Sequence, residues 1–520
     1  MRAQPSPVHA RLGRCARLAR LAVASTFLLA VGCGAAPRLA RPTSARAPKT
    51  TAPLPAGSAE LASWIDAYAG GFGHEWGPAF APSGYLMVTK DGVPIVARSY
   101  GHANPKSGAT IGPSTQLQLG SVTKQFTAVA VLQLAEKKRV NLTDSVRAHV
   151  AGLPREFDAV TLHHLLTHTS GIANYTADPA LMTQRDPHLP RERVVASFAG
   201  KPLAFVPGEK FDYSNSNYFL LGMVIEKVSG KTYEEYLQAN VLGPANMLRS
   251  TTAFDPHTFD AALGTTVDAS EKVRVVDVWD TPLPFAAGAL RSTAIDMVAW
   301  DRALTSGKLL NADSERRRTT PEKDDYACGV SVATKSGYLV ESHGGRIEGF
   351  RSFFARVAAI GVAVVFLSNA DDFDASAFGS AVTRMIVEAK PRPPNVERPV
   401  GVLDAALAAR LAGTYELLPA SREQLAPKLP PAVLESVAKM TVTVEGSHIV
   451  VKASGQPAFV AFPGVGQSGQ DETSAPSFFT KTSGIVLVPA ASAGGGDQVS
   501  GFRIEQAGLV IEYVRATPGT

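Results

Sequence analysis

Residues 121–139 read SVTKQFTAVAVLQLAEKKR. Apolar residues recur at Val122, Phe126, Val129 and Leu132–Leu134, the spacing of one helical face. Lys137, Lys138 and Arg139 suit the end of a helix, where cations meet the negative pole of the backbone dipoles. A helix over 121–139 puts Ser121 and Lys124, three residues apart, on one face and within reach of each other. A serine hydroxyl needs a base to become a nucleophile, and a lysine desolvated in a cleft loses enough proton affinity to serve as one. The free N–H groups at the helix start add a favourable field where an anion develops. Ser-x-x-Lys is weak by itself, since two fixed positions match by chance roughly twice in a chain of this length. Ser436-Val437-Ala438-Lys439 is a second match, expected as a solvated helix face without chemistry.

Working outward, Tyr85–Val88 and Pro94–Ser99 flank the turn Lys90-Asp91-Gly92, and Phe350–Phe354 and Gly361–Leu367 read as adjacent strands. Strands near both ends of residues 58–389, with helical stretches between them, predict an α/β sandwich with an added helical lobe. The Pro-rich stretch 390–402 defeats both helix and strand and predicts a linker. From residue 403 to 520 one helix near Pro431–Lys439 is followed by strand after strand, from Met440–Val444 to Leu509–Val514. A small antiparallel β-barrel closes such a set without exposed edges.

Three further stretches lie between the strands: Leu162-His163-His164-Leu165-Leu166-Thr167-His168-Thr169-Ser170-Gly171-Ile172, then Pro207-Gly208 leading to Tyr213-Ser214-Asn215, then His343-Gly344-Gly345. In this order, with Gly288-Ala289-Leu290-Arg291-Ser292-Thr293-Ala294 and Leu367-Ser368-Asn369, residues 84–370 resemble the class C β-lactamase and penicillin-binding-protein-like serine hydrolases. The resemblance implies a β-lactamase/transpeptidase-like fold and an acyl-enzyme on Ser121. Lys124 would take or relay the serine proton. Tyr213, acidified by Lys124, would act as base and as proton donor to the leaving group. Asn215, His343, Gly345 and Arg346 would bind substrate, with the backbone N–H groups of Ser121 and Arg346 forming the oxyanion hole. The segment from Leu411 to Glu416 resembles the start of the lipocalin-like β domains attached to such hydrolases. Expected substrates are D-amino-acid peptides or short esters, cleaved by an esterase, D-peptidase (carboxypeptidase) or β-lactamase-like enzyme without metal or organic cofactor. The alternative is a penicillin-binding or muropeptide-sensing protein that acylates but turns over slowly. Where β-lactamases carry Lys-Thr-Gly, this chain has His343-Gly344-Gly345, which predicts weak β-lactam hydrolysis and a preference for neutral substrates. Protonation of His343 between about pH 8 and pH 6 is expected to narrow that preference.

Residues 1–32 hold five arginines and no acid, ahead of an apolar run from Leu21 to Gly32 too short for a stable bilayer span. The run ends at Cys33, which resembles the lipidation site of bacterial lipoproteins. Export from a bacterial cell is expected, as a membrane-anchored lipoprotein or a secreted or periplasmic protein. Residues 33–57 read as an Ala- and Pro-rich tether. Without residues 1–32 the chain carries 46 Lys and Arg against 46 Asp and Glu, so the pI near 9 belongs to the leader and no nucleic-acid partner is expected. Cys328 is expected as a buried apolar residue. His164 and His168 have the spacing of paired zinc ligands, but Leu165 stands where the metalloprotease motif needs Glu.

Overall fold

The computed structural model describes residues 57–253, 260–268, 271–276, 282–392, 400–426, 431–453, 459–464, 477–481, 485–490, 499–506 and 509–516. The expected leader (residues 1–32), Cys33 and most of the expected tether (33–57) lie outside the described residues.

Six strands form the main sheet: β1 (Gly84–Lys90), β2 (Val93–Tyr100), β3 (Ser331–Lys335), β4 (Tyr338–Ile347), β5 (Phe350–Val357) and β6 (Val362–Ser368). Their order is β2-β1-β6-β5-β4-β3, antiparallel throughout. The β1–β2 hairpin turns at Asp91 and Gly92, both at positive φ (51° and 73°). Because β1 pairs with β6, from Gly84↔Ser368 to Lys90↔Val362, the two ends of this domain meet in the middle of the sheet.

The helices that position the site are α1 (Ser58–Trp76), α2 (Thr123–Glu136), α3 (Asn215–Ser229), α4 (Ala294–Thr305) and α5 (Ala375–Glu388). α1 and α5 cover one face of the sheet, where Leu61, Ile65, Tyr68 and Phe72 pack with Phe366, Phe378, Val382 and Met385. Phe366 and Phe378 are fully buried, their ring centroids 4.8 Å apart. α2, α3 and α4 build the larger core on the other face, and α2 is buried on nearly every side. A helix buried on nearly every side belongs at the centre of a large core, and the polar side chains of α2 are buried with the apolar ones. This is the predicted sandwich with a helical lobe.

Two local expectations are corrected. The helix starts at Thr123 and ends at Glu136, and Ser121 sits before it in a 3-10 turn, Gly120–Val122. Ser436 and Lys439 do not share a helix face. Their helix stops at Val437 and Lys439 opens a strand, where its ammonium pairs with Glu416 at 3.4 Å.

The C-terminal strands β7 (Gly413–Leu417), β8 (Lys439–Glu445), β9 (His448–Ala453), β10 (Phe459–Pro463), β11 (Phe478–Phe479), β12 (Val486–Ala490), β13 (Gly501–Gln506) and β14 (Leu509–Arg515) make a closed antiparallel barrel. Tyr415↔Arg515 and Leu417↔Tyr513 join the last strand to the first. Tyr415, Met440, Ile449, Phe478, Leu487 and Phe502 are among the buried side chains packed together in its core. Lys481 reaches from the barrel to the first domain. Its Nζ lies 3.8 Å from the centroid of the Phe462 ring, 4.6 Å from that of Phe80, and 3.2 Å from a Glu271 carboxylate oxygen. Among the described residues no helix is long and apolar enough to cross a membrane.

Candidate active site around Ser121

The turn that presents Ser121 is pinned from two sides. Leu119 donates its N–H to Leu290 O (2.8 Å), and its own carbonyl accepts from Ser352 Oγ (2.6 Å) on β5. Gly120 has φ +50°, and a Cβ there would lie 2.8 Å from the Arg346 backbone nitrogen on β4. A glycine is required by conformation and by space together. Gly345 meets a harder limit, since a Cβ would stand 1.9 Å from Leu119 O. These two glycines let β4 approach the serine turn closely.

Lys124 lies one turn into the lobe, fully buried, its Nζ 3.0 Å from Ser121 Oγ, 2.8 Å from Asn215 Oδ1 and 2.8 Å from Ala287 O. Burial pushes its pKa well below the ordinary lysine value, which favours the neutral amine. A neutral amine has two N–H donors and one lone pair. Amide and backbone carbonyl oxygens only accept, so Asn215 and Ala287 take the two donors and the lone pair is left facing the Ser121 hydroxyl. Asn215, the first residue of α3, is oriented for this because its Nδ2 lies within reach of Asn174 Oδ1 (3.4 Å) and Thr176 Oγ1 (3.3 Å). Its amide oxygen is thus placed on Lys124.

Tyr213 lies beside both groups. Its hydroxyl is hydrogen-bonded to Ser121, and Lys124 Nζ is 4.8 Å from its ring centroid. The expected acidification of this phenol is not found. Burial raises its pKa, and the hydrogen bond with Ser121 offsets only part of that. Burial is the larger effect, and it favours the protonated phenol.

Behind Tyr213 stands His168, fully buried at φ +55° with its ring centroid 4.2 Å from that of Tyr213. Its Nδ1 accepts from Ser214 N (3.2 Å) and Asn217 Nδ2 (3.1 Å), which leaves the proton on Nε2. Burial first, then Lys124 and His343, hold its pKa well below the usual value. His164 sits apart, its Nδ1 accepting from Thr161 N (3.3 Å) at the start of the short helix Leu162–Leu166.

His343, Gly345 and Arg346 lie on β4, whose pairing with β3 ends at Ser342↔Ser331. Beyond that point β4 has an open edge toward the serine turn. The two-residue turn Glu348-Gly349 makes Ile347↔Phe350 a hydrogen-bonded pair, and alternation then turns the N–H and C=O groups of Gly344 and Arg346 to the open edge. The Arg346 N–H beside Gly120 therefore suits an oxyanion partner to the Ser121 N–H. The Arg346 side chain is engaged elsewhere, with Nε 3.2 Å from Asp371 Oδ1.

His343 is corrected in one respect. Burial and nearby Lys124 lower its pKa to about 4, against a weaker opposing contact with Gly344 O. It does not protonate between pH 8 and pH 6. Tyr326, Ala287 and the Asn174–Thr176 clamp escaped the sequence reading. No spacing rule marks a backbone carbonyl or a lone tyrosine in a loop, although Ala287 directly precedes the motif at 288–294. Cys328 is buried, as expected.

A serine and a buried lysine beneath the open edge of an antiparallel sheet define an active-site-serine hydrolase. Residues 77–384, more than half of the chain, match the family model described as Beta-lactamase, and the chain belongs to that family, the serine hydrolases of β-lactamase and penicillin-binding-protein type. It is 27% identical over 314 residues to Protein flp of Staphylococcus aureus (strain MW2), covering 57% of this chain and 61% of that protein. The chain thus spans less than two thirds of that relative's length. A penicillin-binding protein from Bacillus halodurans superposes with a TM-score of 0.53 at 30% identity, covering 59% of this chain and 96% of that one. A D-stereospecific amidohydrolase from Streptomyces sp. superposes with a TM-score of 0.53 at 25% identity, covering 64% of this chain and 99% of that one.

Proposed function

We propose that this protein hydrolyses ester and amide bonds, with short acyl esters and D-amino-acid peptides as substrates, through an acyl-enzyme on Ser121. The observation that carries the reading is the fully buried Lys124 Nζ standing 3.0 Å from Ser121 Oγ, with burial pushing its pKa down toward that of a base. Ser121 Oγ attacks the carbonyl carbon and its proton passes to Lys124 Nζ, while the N–H groups of Ser121 and Arg346 receive the oxyanion. Tyr213, a phenol at rest, protonates the leaving group and regains its proton from Lys124. Water then attacks the acyl carbon, gives its proton to Lys124, and Ser121 leaves with that proton.

His343 supports the neutral-substrate preference. It is uncharged and turned to Tyr326 and Gly344, so it offers no cation to a carboxylate. Turnover of penicillins is accordingly weak. The resemblance to the Streptomyces amidohydrolase supports D-amino-acid amides as the first substrates to try.

The test is labelling with a fluorophosphonate probe followed by a substrate panel. Ser121→Ala abolishes labelling and Ser436→Ala leaves it unchanged. Full labelling of Ser121→Ala refutes the reading. A burst of acylation without steady turnover on any ester or D-peptide marks the slow-turnover, penicillin-binding alternative, which the Bacillus halodurans resemblance favours.

A further inference from the structure

Between the helix Ala312–Arg318 and β3 runs a loop that touches both halves of the site. Gly329 in this loop packs so closely on α2 that a Cβ would stand 2.6 Å from Lys124 O. Three residues earlier, Tyr326 is buried and held by backbone bonds, donating its N–H to Lys323 O (2.8 Å) and accepting from Glu322 N (2.9 Å). Its ring centroid is 4.9 Å from that of His168 and 5.5 Å from that of Phe211. Its hydroxyl oxygen lies 3.0 Å from His343 Nε2.

The tautomer of His343 follows from its other nitrogen. Nδ1 is 2.6 Å from Gly344 O, and a carbonyl only accepts, so Nδ1 carries the proton and Nε2 is bare. The Tyr326 hydroxyl is therefore the donor to Nε2. Tyr218 is also within hydrogen-bonding reach of Tyr326, and because its own proton goes to Leu166 O (2.7 Å) its oxygen is a second acceptor beside His343 Nε2 for the one Tyr326 proton. Gly344 O belongs to the open edge of β4, one residue from Gly345 and two from Arg346. A continuous chain of bonds thus runs from Tyr326 through the imidazole to the strand segment that faces Ser121.

We infer that Tyr326 is a positioning residue of the hydrolytic site, holding the Gly344–Arg346 backbone in register with the Ser121 turn by fixing the imidazole of His343. This rests on Ser121 being the nucleophile. Phenylalanine at 326 keeps the ring in its packing and removes only the hydroxyl, so the imidazole loses its donor and the edge carbonyl loses a rigid partner.

The experiment is a double-mutant cycle on the full chain, with kcat and KM measured on p-nitrophenyl acetate for wild type, Tyr326→Phe, His343→Ala and the double variant. His343→Asn replaces His343→Ala if the alanine variant does not fold. Tyr326→Phe is expected to lower kcat about tenfold with KM within about twofold, because an oxyanion donor displaced slightly loses transition-state binding and little ground-state binding. In the His343 variant the same change is expected to cost less than about twofold. A kcat within twofold of wild type for Tyr326→Phe overturns the inference, and so does a full tenfold loss persisting without His343. Fluorophosphonate labelling separates the two levels. A wild type that neither labels at Ser121 nor turns over ester overturns the hydrolase reading and this inference together, whereas an additive cycle in an active enzyme overturns the inference alone.

Discussion

Lys124 owes its chemistry to what surrounds it. Two obligate acceptors, Asn215 Oδ1 and Ala287 O, hold the amine so that its remaining valence faces Ser121. Arginine at this position keeps a charge but cannot release its proton, and its fork does not fit a site shaped for one nitrogen. Lys124→Arg and Lys124→Met are each expected to lower the acylation rate by about 10²–10⁴-fold, read by stopped-flow labelling, the range a positioned general base contributes. Acylation near the wild-type rate in Lys124→Arg would move the base to Tyr213. His343 gives a pH test. It stays neutral from about pH 5 upward, so the turnover ratio of anionic to neutral substrates should be flat from pH 6 to pH 8. The same residue couples to stability. Its folded pKa, about 4, lies below the unfolded value near 6.5, so between them the unfolded chain binds more protons. The His343 contribution is complete above about pH 6.5 and is lost as pH falls toward 4, on the order of 3 kcal/mol in all. Urea titrations of wild type and His343→Asn at pH 7 and pH 4.5 should differ in this sense, the wild type losing more on acidification.

At the scale of the element, the decisive contact is that of β4 with the serine turn. Gly345→Ala forces a carbon to within 1.9 Å of a backbone oxygen, so the strand must move away from Ser121. A loss of kcat/KM of about 10² or more on a neutral ester is expected, since displacement of the reacting groups by about 1 Å costs that much. Gly200→Ala, where nothing lies within 4 Å, is the control and should stay within about twofold. The strands and the core of α2 were legible in the sequence because hydrophobic period survives folding: Val122, Phe126 and Val129 are all fully buried. The helix start was displaced by two residues because Gly120 adopts its conformation to admit β4, a tertiary demand with no local trace. Ser121, Lys124 and Tyr213 were found through motif order, and the structure brings them together. Whether Tyr213 is acidified and whether His343 titrates between pH 8 and pH 6 are not legible from sequence, because desolvation depends on packing from segments remote in sequence. Asn215 was recognised as a site residue, but its partner could not be, since Asn174 and Thr176 orient it across the lobe.

For the molecule as a whole, the barrel meets the first domain through Lys481, a cation with an exposed fraction of only 6% held between two rings and a carboxylate. Burial desolvates the ammonium, and Glu271, itself 38% exposed, offsets only part of that, while the two rings add cation–π attraction. Lys481→Ala is therefore expected to lower stability by about 1–2 kcal/mol, and Glu271→Ala by less than about 1 kcal/mol, in denaturant unfolding of the full chain. Equal losses would mean that the ion pair dominates. The pairing of β1 with β6 has a consequence for synthesis. The first hairpin leaves the ribosome about 270 residues before the strand that will lie beside it. At roughly 5–20 residues per second, that hairpin waits on the order of tens of seconds with one long edge unsatisfied. The nascent chain is thus most exposed to aggregation before Val362–Ser368 emerges. Translation pauses placed after that strand should be tolerated far better than pauses placed before it.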